Sequence, residues 1–457
     1  MKKILKPFQV EGAKFLANNP HALLADEMGL GKTVTALAAC EIIDAQEVLV
    51  ICPASVRSNW MQEWEECGFS GSKTAKGKAR CMTVMSYNGA TTAYKAPDLA
   101  LCGPFDVIIL DEAHFLKTPD SQRTQAIFGN ERGLARRAKY KWCLTGTPVL
   151  NRPRELYPIL KTLHGKGIEP YNTWDKFTQR YCGAFFDGYS INTKGATHVE
   201  ELRGRLNGFM LRRTKAQVLP ELPPRIVSRP PLELSKEEMA PIFEMEAEIG
   251  DREAYLSPVH EDFSQLGDMA KLLKVTGVAK VKKIVAFVED LLETADKVVI
   301  FARHRDVISA LDKELGHQLP VSYHGGMNDQ QKKEAVEEFV NNKDCGVFIG
   351  QIQAAGTGIN GLQRVCSNLV FAELDWVPGT MSQAIDRCHR IGQTAEAVNV
   401  FLPHVPGTLE SAMLLVHSAK GHVIDALVGV REGSEAPMGE TPRAAAETEE
   451  DELVGLM

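Results

Sequence analysis

No stretch of about 18 or more consecutive apolar residues occurs in the chain, so the sequence predicts no membrane-spanning helix. The first residues, MKKILKPFQVEG, are positive and briefly apolar but lack the apolar core and small-residue cleavage site of a secretory signal. An intracellular protein is expected, cytoplasmic if bacterial or phage-encoded and nuclear if eukaryotic. The 10 cysteines are scattered and no pair has CxxC spacing. That excludes the usual zinc frameworks and argues against a disulfide scaffold, leaving buried or half-buried free thiols.

Excess positive charge is also missing. The net charge is −7, which looks unfavourable for a nucleic-acid partner until it is partitioned. From Glu432 onward there are eight acidic residues and one arginine, so the tail carries the whole net charge and the body is neutral. A neutral body can still present a basic stripe, so overall charge decides little. The tail, 432–457, reads as acidic and disordered. It is either a docking segment for a protein partner or an inert linker, and inert is the expectation.

At 457 residues the chain is long enough for two or three domains. Short apolar runs at 22–25, 48–52, 83–85, 107–110 and 142–145 alternate with helical patterns, which predicts a parallel sheet covered by helices. One such helix is expected over 31–44, where Val34, Leu37, Ala38 and Ile42 have helical spacing. The rhythm is lost over 151–275, where helical stretches at 172–181 and 198–211 precede a proline-rich break and another helical region from Lys236. It returns with strands expected at 298–302, 321–323, 347–349, 369–373 and 398–402. The predicted organisation is a first α/β lobe over 1–165, helical insertions and connector over 166–275, a second α/β lobe over 276–431, and the tail.

Two motifs carry chemistry in the first lobe. Asp26-Glu27-Met28-Gly29-Leu30-Gly31-Lys32-Thr33 follows an apolar strand and opens a helix, the setting a phosphate loop requires. Gly29 and Gly31 let backbone N–H groups turn inward around phosphate oxygens, and the helix adds its positive end. Lys32 would reach the β- and γ-phosphates and Thr33 would hold Mg²⁺. The general pattern has glycine where this chain has Asp26, so the match is to GxGKT. Alone, the motif leaves open a glycine-rich turn with a solvated lysine. The second motif is Val107-Ile108-Ile109-Leu110-Asp111-Glu112-Ala113-His114. A buried strand delivers two carboxylates at its carboxyl end, where ligands of open α/β sheets bind. Asp111 can hold the Mg²⁺ shell and Glu112 can orient or deprotonate the attacking water. The two motifs together point to ATP hydrolysis.

In the second lobe, residues 381–393 read as a helix with Gln383, Arg387 and Arg390 on one face and Ala384, Cys388 and Ile391 packing inward. Two fixed guanidinium groups suit a phosphoryl transition state. A solvated surface helix is the plainer reading of such spacing taken alone. The glycine-rich stretch 350–361 follows a strand and would let backbone approach a ligand closely.

With these elements in order, the chain resembles the superfamily-two helicase-like motors, and among them the Swi/Snf family of DNA translocases. The resemblance covers nearly all of 4–403. It takes in Leu5-Lys6-Pro7-Phe8-Gln9, the phosphate loop, Ile51-Cys52-Pro53-Ala54-Ser55, Asp111 to His114, and Leu144-Thr145-Gly146-Thr147-Pro148. It continues through Leu211-Arg212-Arg213-Thr214-Lys215, Val299-Ile300-Phe301-Ala302, Tyr323-His324-Gly325-Gly326-Met327, the glycine loop, and Gln383 to Gln393. The ending His389-Arg390-Ile391-Gly392-Gln393 is highly specific to the family. Asp26 and Glu27 are usual there, and Cys388 replaces a small residue. Asn151-Arg152-Pro153-Arg154-Glu155-Leu156-Tyr157 and Phe371-Ala372-Glu373-Leu374-Asp375-Trp376 resemble the annealing-helicase (HARP-like) branch. A bare motor core is expected, without that branch's accessory domain.

The resemblance implies an α/β fold of two RecA-like parallel-sheet lobes with helical insertions between them. It implies ATP and Mg²⁺ as cofactors, with Gln9 reading adenine, Asp26 to Thr33 binding phosphate, and Arg387 and Arg390 as arginine fingers. Gln383 would contact nucleotide or water. His114 would couple hydrolysis to Thr145 and Thr147. Ser55, Arg57, His324, Gly325, Thr357 and Trp376 would bind DNA, mostly through phosphates, so sequence preference should be low. The expected activity is ATP-dependent translocation on double-stranded DNA by a monomer. A strand-separating DNA or RNA helicase, or an ATPase subunit of a larger DNA-processing complex, would use the same site.

Overall fold

The computed structural model describes residues 1–95, 104–129, 132–146, 152–193, 195–249, 266–355 and 359–415. The tail and Thr147 and Thr357 lie outside them. Among the described residues, no helix is long and apolar enough to cross a membrane. The nine described cysteines are free thiols, all buried but Cys81.

The strands are β1 (His21–Leu24), β2 (Glu47–Cys52), β3 (Cys81–Ser86), β4 (Phe105–Asp111), β5 (Ala138–Leu144), β6 (Phe185–Phe186), β7 (Ile191–Asn192), β8 (Met210–Leu211), β9 (Arg225–Ser228), β10 (Val298–Ala302), β11 (Val321–Tyr323), β12 (Val347–Gln351), β13 (Asn368–Phe371) and β14 (Val398–Phe401). All ten strands expected from the apolar runs form. They assemble into two six-stranded sheets, ordered β3-β2-β4-β5-β1-β8 and β11-β12-β10-β13-β14-β9, with every pairing parallel. The apolar runs are continuous because helices cover both faces. Along β4, Ile108 and Leu110 enter one core while Val107 and Ile109 enter the other. In β10, Val299 and Phe301 lie on one side and Val298, Ile300 and Ala302 on the other. This is the period-two alternation of a strand buried twice.

The stretch expected to hold helical insertions and a connector does contain helices, among them Trp174–Cys182, Val199–Arg205 and Lys236–Ile249. It also contributes one strand to each sheet, which its pattern does not suggest. β8 pairs with β1 through Leu23↔Met210 and Leu24↔Leu211, ending what the spacing reads as a helix over 198–211. β9 pairs with β14 from Arg225↔Val398 to Ser228↔Phe401. Both are short edge strands, and Ile226 and Val227 on β9 stay exposed. The consequence is functional. Residues 212–224 leave the first sheet beside β1 and reach the second beside β14, passing the phosphate loop on the way.

Candidate nucleotide site

The phosphate loop sits where β1 ends, between β1's neighbours β5 and β8, with β4 next beyond β5. Gly29 and Gly31 have φ of +83° and +77°, the left-handed region that side chains disfavour. A Cβ on Gly31 would come within 2.4 Å of Gln9 Nε2, and one on Gly29 within 2.9 Å of Arg390 Cβ. Gln9 thus sits on the loop: its Nε2 donates to Leu30 O (3.1 Å) and its Oε1 accepts from Lys6 N–H (3.0 Å). Lys32 and Thr33 open the helix Lys32–Ile42. Lys32 Nζ donates to the carbonyls of Asp26 (2.8 Å) and Glu27 (3.3 Å). Burial lowers its proton affinity, while the charges of Glu112, Asp26 and Asp111 oppose that.

Asp26 and Glu27 stand in the loop, but their carboxylates hold the connector. Asp26 Oδ1 accepts from Arg213 Nε (3.0 Å) and Arg213 N–H (3.1 Å), and its Oδ2 pairs with the same guanidinium. Glu27 Oε2 accepts from Lys215 N–H (2.7 Å). Met28 and Leu30 are buried.

β4 delivers Asp111 and Glu112 at its end. Asp111 Oδ2 accepts from Trp60 Nε1 (2.7 Å) and Oδ1 from Glu112 N–H (3.0 Å). Glu112 has φ +51°, a left-handed conformation uncommon outside glycine. Burial and then the Glu112 charge push the Asp111 carboxyl up, against the hydrogen bond from Trp60. Burial also acts to raise Glu112, but the His114 contact with the Lys32 and Arg387 charges outweighs it and holds Glu112 down. His114 Nδ1 lies 3.2 Å from Thr145 Oγ1 and 3.3 Å from Glu112 Oε2, so it joins the two motifs. The pair is therefore split into a more basic Asp111 and a more acidic Glu112.

The second lobe brings its residues here, though not on the expected helix. The helix Pro378–Ile385 holds Gln383, which is buried, and then ends. Arg387 and Arg390 stand on turns beyond it, so the three do not share a helical face. The amides of Arg387 and Cys388 bond three residues back, to Ala384 O (3.1 Å) and Ile385 O (3.0 Å). The turn beyond the helix is held by a tertiary contact. Lys215 Nζ, almost wholly buried, pairs with Asp386 Oδ1 (2.5 Å) and takes the carbonyl of His389. A cation from the connector thus satisfies a carbonyl that a continued helix would have used internally. Ala384 and Cys388 do pack inward, and Ile391 packs against Phe8, Leu30 and Leu219 in an apolar seam. The seam draws on the first helix, the phosphate loop, the connector and the second lobe.

Burial lowers the proton affinity of the Arg387 guanidinium, and the nearby Glu112 carboxylate is the charge that most strongly opposes this. Arg390 Nη1 donates to Asn360 Oδ1 (2.6 Å), and Asn360 Nδ2 donates to Asn59 Oδ1 (3.2 Å) in the first lobe. Arg390 Nε is buried without a hydrogen-bond partner. Burial, then the neighbouring Arg387, lower Arg390 to about 10. Two desolvated cations, one on the turn beside Gly29 and one near Glu112, fit a polyanion, and a hydroxyl (Thr33) with a carboxylate (Asp111) fits a hard divalent cation such as Mg²⁺.

His389 yields a test of this packing. Its Nε2 donates to Pro223 O (2.9 Å), and burial followed by the Lys215 charge pulls its pKa from 6.5 down to about 4. Below its ordinary value the unfolded chain takes up a proton that the folded chain refuses, so acid favours unfolding. Stability should fall from about pH 6.5 toward 4 by up to about 1.4 kcal/mol per pH unit from this group. Melting temperatures against pH for wild type and His389→Gln check it. The acid slope of the variant should be shallower by one proton; identical slopes would refute the assignment.

The proposed DNA contacts follow strand ends. Ser55 lies in the turn Ala54–Val56 after β2, and exposed Arg57 begins the helix Arg57–Glu66. His324 and Gly325 follow β11, with Gly325 N–H donating to Gln351 Oε1 (3.0 Å). Half-buried Trp376 follows β13. Sequence reading missed Arg303 and Arg305, basic residues directly after β10. A Cβ on Gly326 would come within 2.4 Å of Arg305 Nη2, which places that guanidinium beside the His324 loop. Glu373 pins the segment by accepting from the amides of Arg303 and His304, both at 2.8 Å. The cluster of charge after an apolar strand was the available signal. Asn59, Trp60 and Asn360 were also missed, and nothing local marks them.

The chain is similar to known proteins over most of its length. The SNF2-related domain matches residues 8–255 and the helicase conserved C-terminal domain residues 279–392. The DNA annealing helicase and endonuclease ZRANB3 of Mus musculus is 31% identical over 442 residues, covering 92% of this chain and 40% of the relative. The SWI/SNF-related matrix-associated actin-dependent regulator of chromatin subfamily A-like protein 1 of Drosophila melanogaster is 29% identical, covering 87% of this chain and 52% of the relative. This chain thus spans about two fifths to one half of the length of these relatives. The Sulfolobus solfataricus SWI2/SNF2 ATPase core in complex with dsDNA is similar at 22% identity, covering 94% of this chain and 98% of that one, with a TM-score of 0.41. An annealing helicase among the relatives agrees with the branch to which 151–157 and 371–376 point. With one family description matching more than half of the chain and the second following it through Gly392, the chain belongs to the SNF2-related family of helicase-like, ATP-hydrolysing enzymes.

Proposed function

We propose that the chain is an ATP-dependent translocase on double-stranded DNA that remodels DNA structures or protein–DNA complexes without processive strand separation. The observation that carries this reading is the composite site. The turn bearing Arg390 touches Gly29 of the phosphate loop, and Arg387 faces Glu112. ATP is the substrate, cradled by Gly29 to Thr33. Mg²⁺ would be held by Thr33 and Asp111 and would neutralise charge on the phosphates. Glu112 orients or deprotonates the attacking water, with His114 relaying its state to Thr145. Because the arginines and the loop come from different lobes, nucleotide state sets the lobe arrangement. Ser55 and Arg57 grip DNA phosphates on one lobe and His324, Gly325 and Trp376 on the other. A change in lobe spacing therefore shifts one grip relative to the other.

The test is ATPase rate with duplex DNA, single-stranded DNA, forked DNA and RNA at one stated salt concentration. Duplex DNA should stimulate most, with little dependence on sequence and a steep loss as salt rises. Stronger stimulation by RNA or single strands, or efficient strand separation, would replace this reading with that of a true helicase.

A further inference from the structure

Asp111 is held at three points. Trp60 Nε1 donates to its Oδ2 (2.7 Å), Glu112 N–H donates to its Oδ1 (3.0 Å), and Tyr87 Oη–H donates to its main-chain carbonyl (2.9 Å). Trp60 comes from a different element, the helix Arg57–Glu66, and is fully buried among apolar side chains. An indole has one donor and no acceptor, so its direction is fixed by ring packing. Packing alone needs no N–H at this position, yet the single donor of a core tryptophan meets a buried carboxylate. With one N–H on each oxygen the carboxylate cannot rotate, and its remaining lone pairs keep one orientation.

We propose that Trp60 is a positioning residue for the metal-holding carboxylate, locking Asp111 in the orientation that binds Mg²⁺ with nucleotide. This rests on the reading of Asp111 as the metal-shell carboxylate. The same helix begins at exposed Arg57 and carries Asn59, which reaches Asn360 and through it Arg390. One ten-residue element therefore carries part of the proposed DNA grip, bonds the metal carboxylate and connects through Asn360 to an arginine finger. Partners that orient a metal ligand typically contribute about ten- to a hundredfold in metal affinity.

The experiment measures affinity for a fluorescent ATP analogue with Mg²⁺ and with EDTA, and Mn²⁺ binding by electron paramagnetic resonance. It uses Trp60→Phe, Asp111→Asn, the double variant, and Trp64→Phe as a packing control. Trp64 lies on the same helix and stacks on Phe69 at 4.7 Å. Trp60→Phe should lose about tenfold or more of the Mg²⁺-dependent gain and keep its EDTA affinity. Trp64→Phe should keep both, and the double variant should lose no more than Asp111→Asn alone. Benzothienylalanine at position 60, isosteric with tryptophan but lacking the N–H, should reproduce the loss in a chain that packs normally. A normal Mg²⁺ gain in the benzothienylalanine protein overturns the assignment of Trp60, as does an undiminished Trp60→Phe loss in the Asp111→Asn background. A normal gain in Asp111→Asn overturns instead the reading of Asp111 itself.

Discussion

Arg387→Ala should turn over ATP about a thousandfold more slowly than wild type with duplex DNA present, while still binding nucleotide. The phosphate loop, Lys32 and Thr33 all belong to the first lobe and remain intact, so ground-state binding persists. What is lost is a cation that neutralises charge as the terminal phosphoryl group departs. Arg387 is suited to this because it faces Glu112 and is desolvated by burial, which makes its field on a nearby anion strong. Arg387→Lys should recover little, since a flexible ammonium does not reproduce a planar fork of donors. Single-turnover rates and equilibrium nucleotide affinity on the same preparations separate the two effects. Near-normal turnover in Arg387→Ala would remove the two-lobe site from the mechanism.

The second large effect is expected from Glu112→Gln, with turnover reduced by about 10²–10⁴-fold, the range of a lost general base. The amide keeps the size of the side chain but cannot accept a proton from water. It also removes the negative charge that pushes Asp111 up, so Asp111 ionises more readily and metal-dependent nucleotide binding should survive. ATP should therefore remain bound long enough to hold the lobes together, and the variant should retain duplex DNA under ATP while wild type cycles off. Filter binding with labelled ATP and a gel shift with duplex DNA test both halves of this expectation. Rapid release of phosphate by the variant would assign the water-activating role to another group. The two variants differ in a useful way: Arg387→Ala removes a cation that would reach the phosphates, whereas Glu112→Gln keeps both arginines and the approach of Arg390 to Gly29.

How much of this could be read from the chain alone follows the range of each interaction. The apolar runs 107–110 and 298–302 predict buried strands because burial on both faces demands continuous apolar residues. Lys32 and Thr33 after two glycines predict a phosphate loop because backbone nests need left-handed φ, which Gly29 and Gly31 have. The spacing of Gln383, Arg387 and Arg390 predicts a shared helical face, and here local periodicity fails. The helix stops at Ile385, and Lys215, 171 residues earlier than Asp386, holds the turn beyond it by taking that carboxylate and the His389 carbonyl.

The sequence by itself determined the inventory: two parallel-sheet lobes, a glycine-rich loop ending in Lys32 and Thr33, a carboxylate pair and two arginines. Only tertiary structure decided their arrangement. Asp26 anchors Arg213 across 187 positions, and Trp60 holds Asp111 across 51. Periodicity and propensity report on neighbours a few residues apart, whereas these bonds depend on which buried donors and acceptors the packed chain brings together. A desolvated polar group must find a partner wherever the fold supplies one.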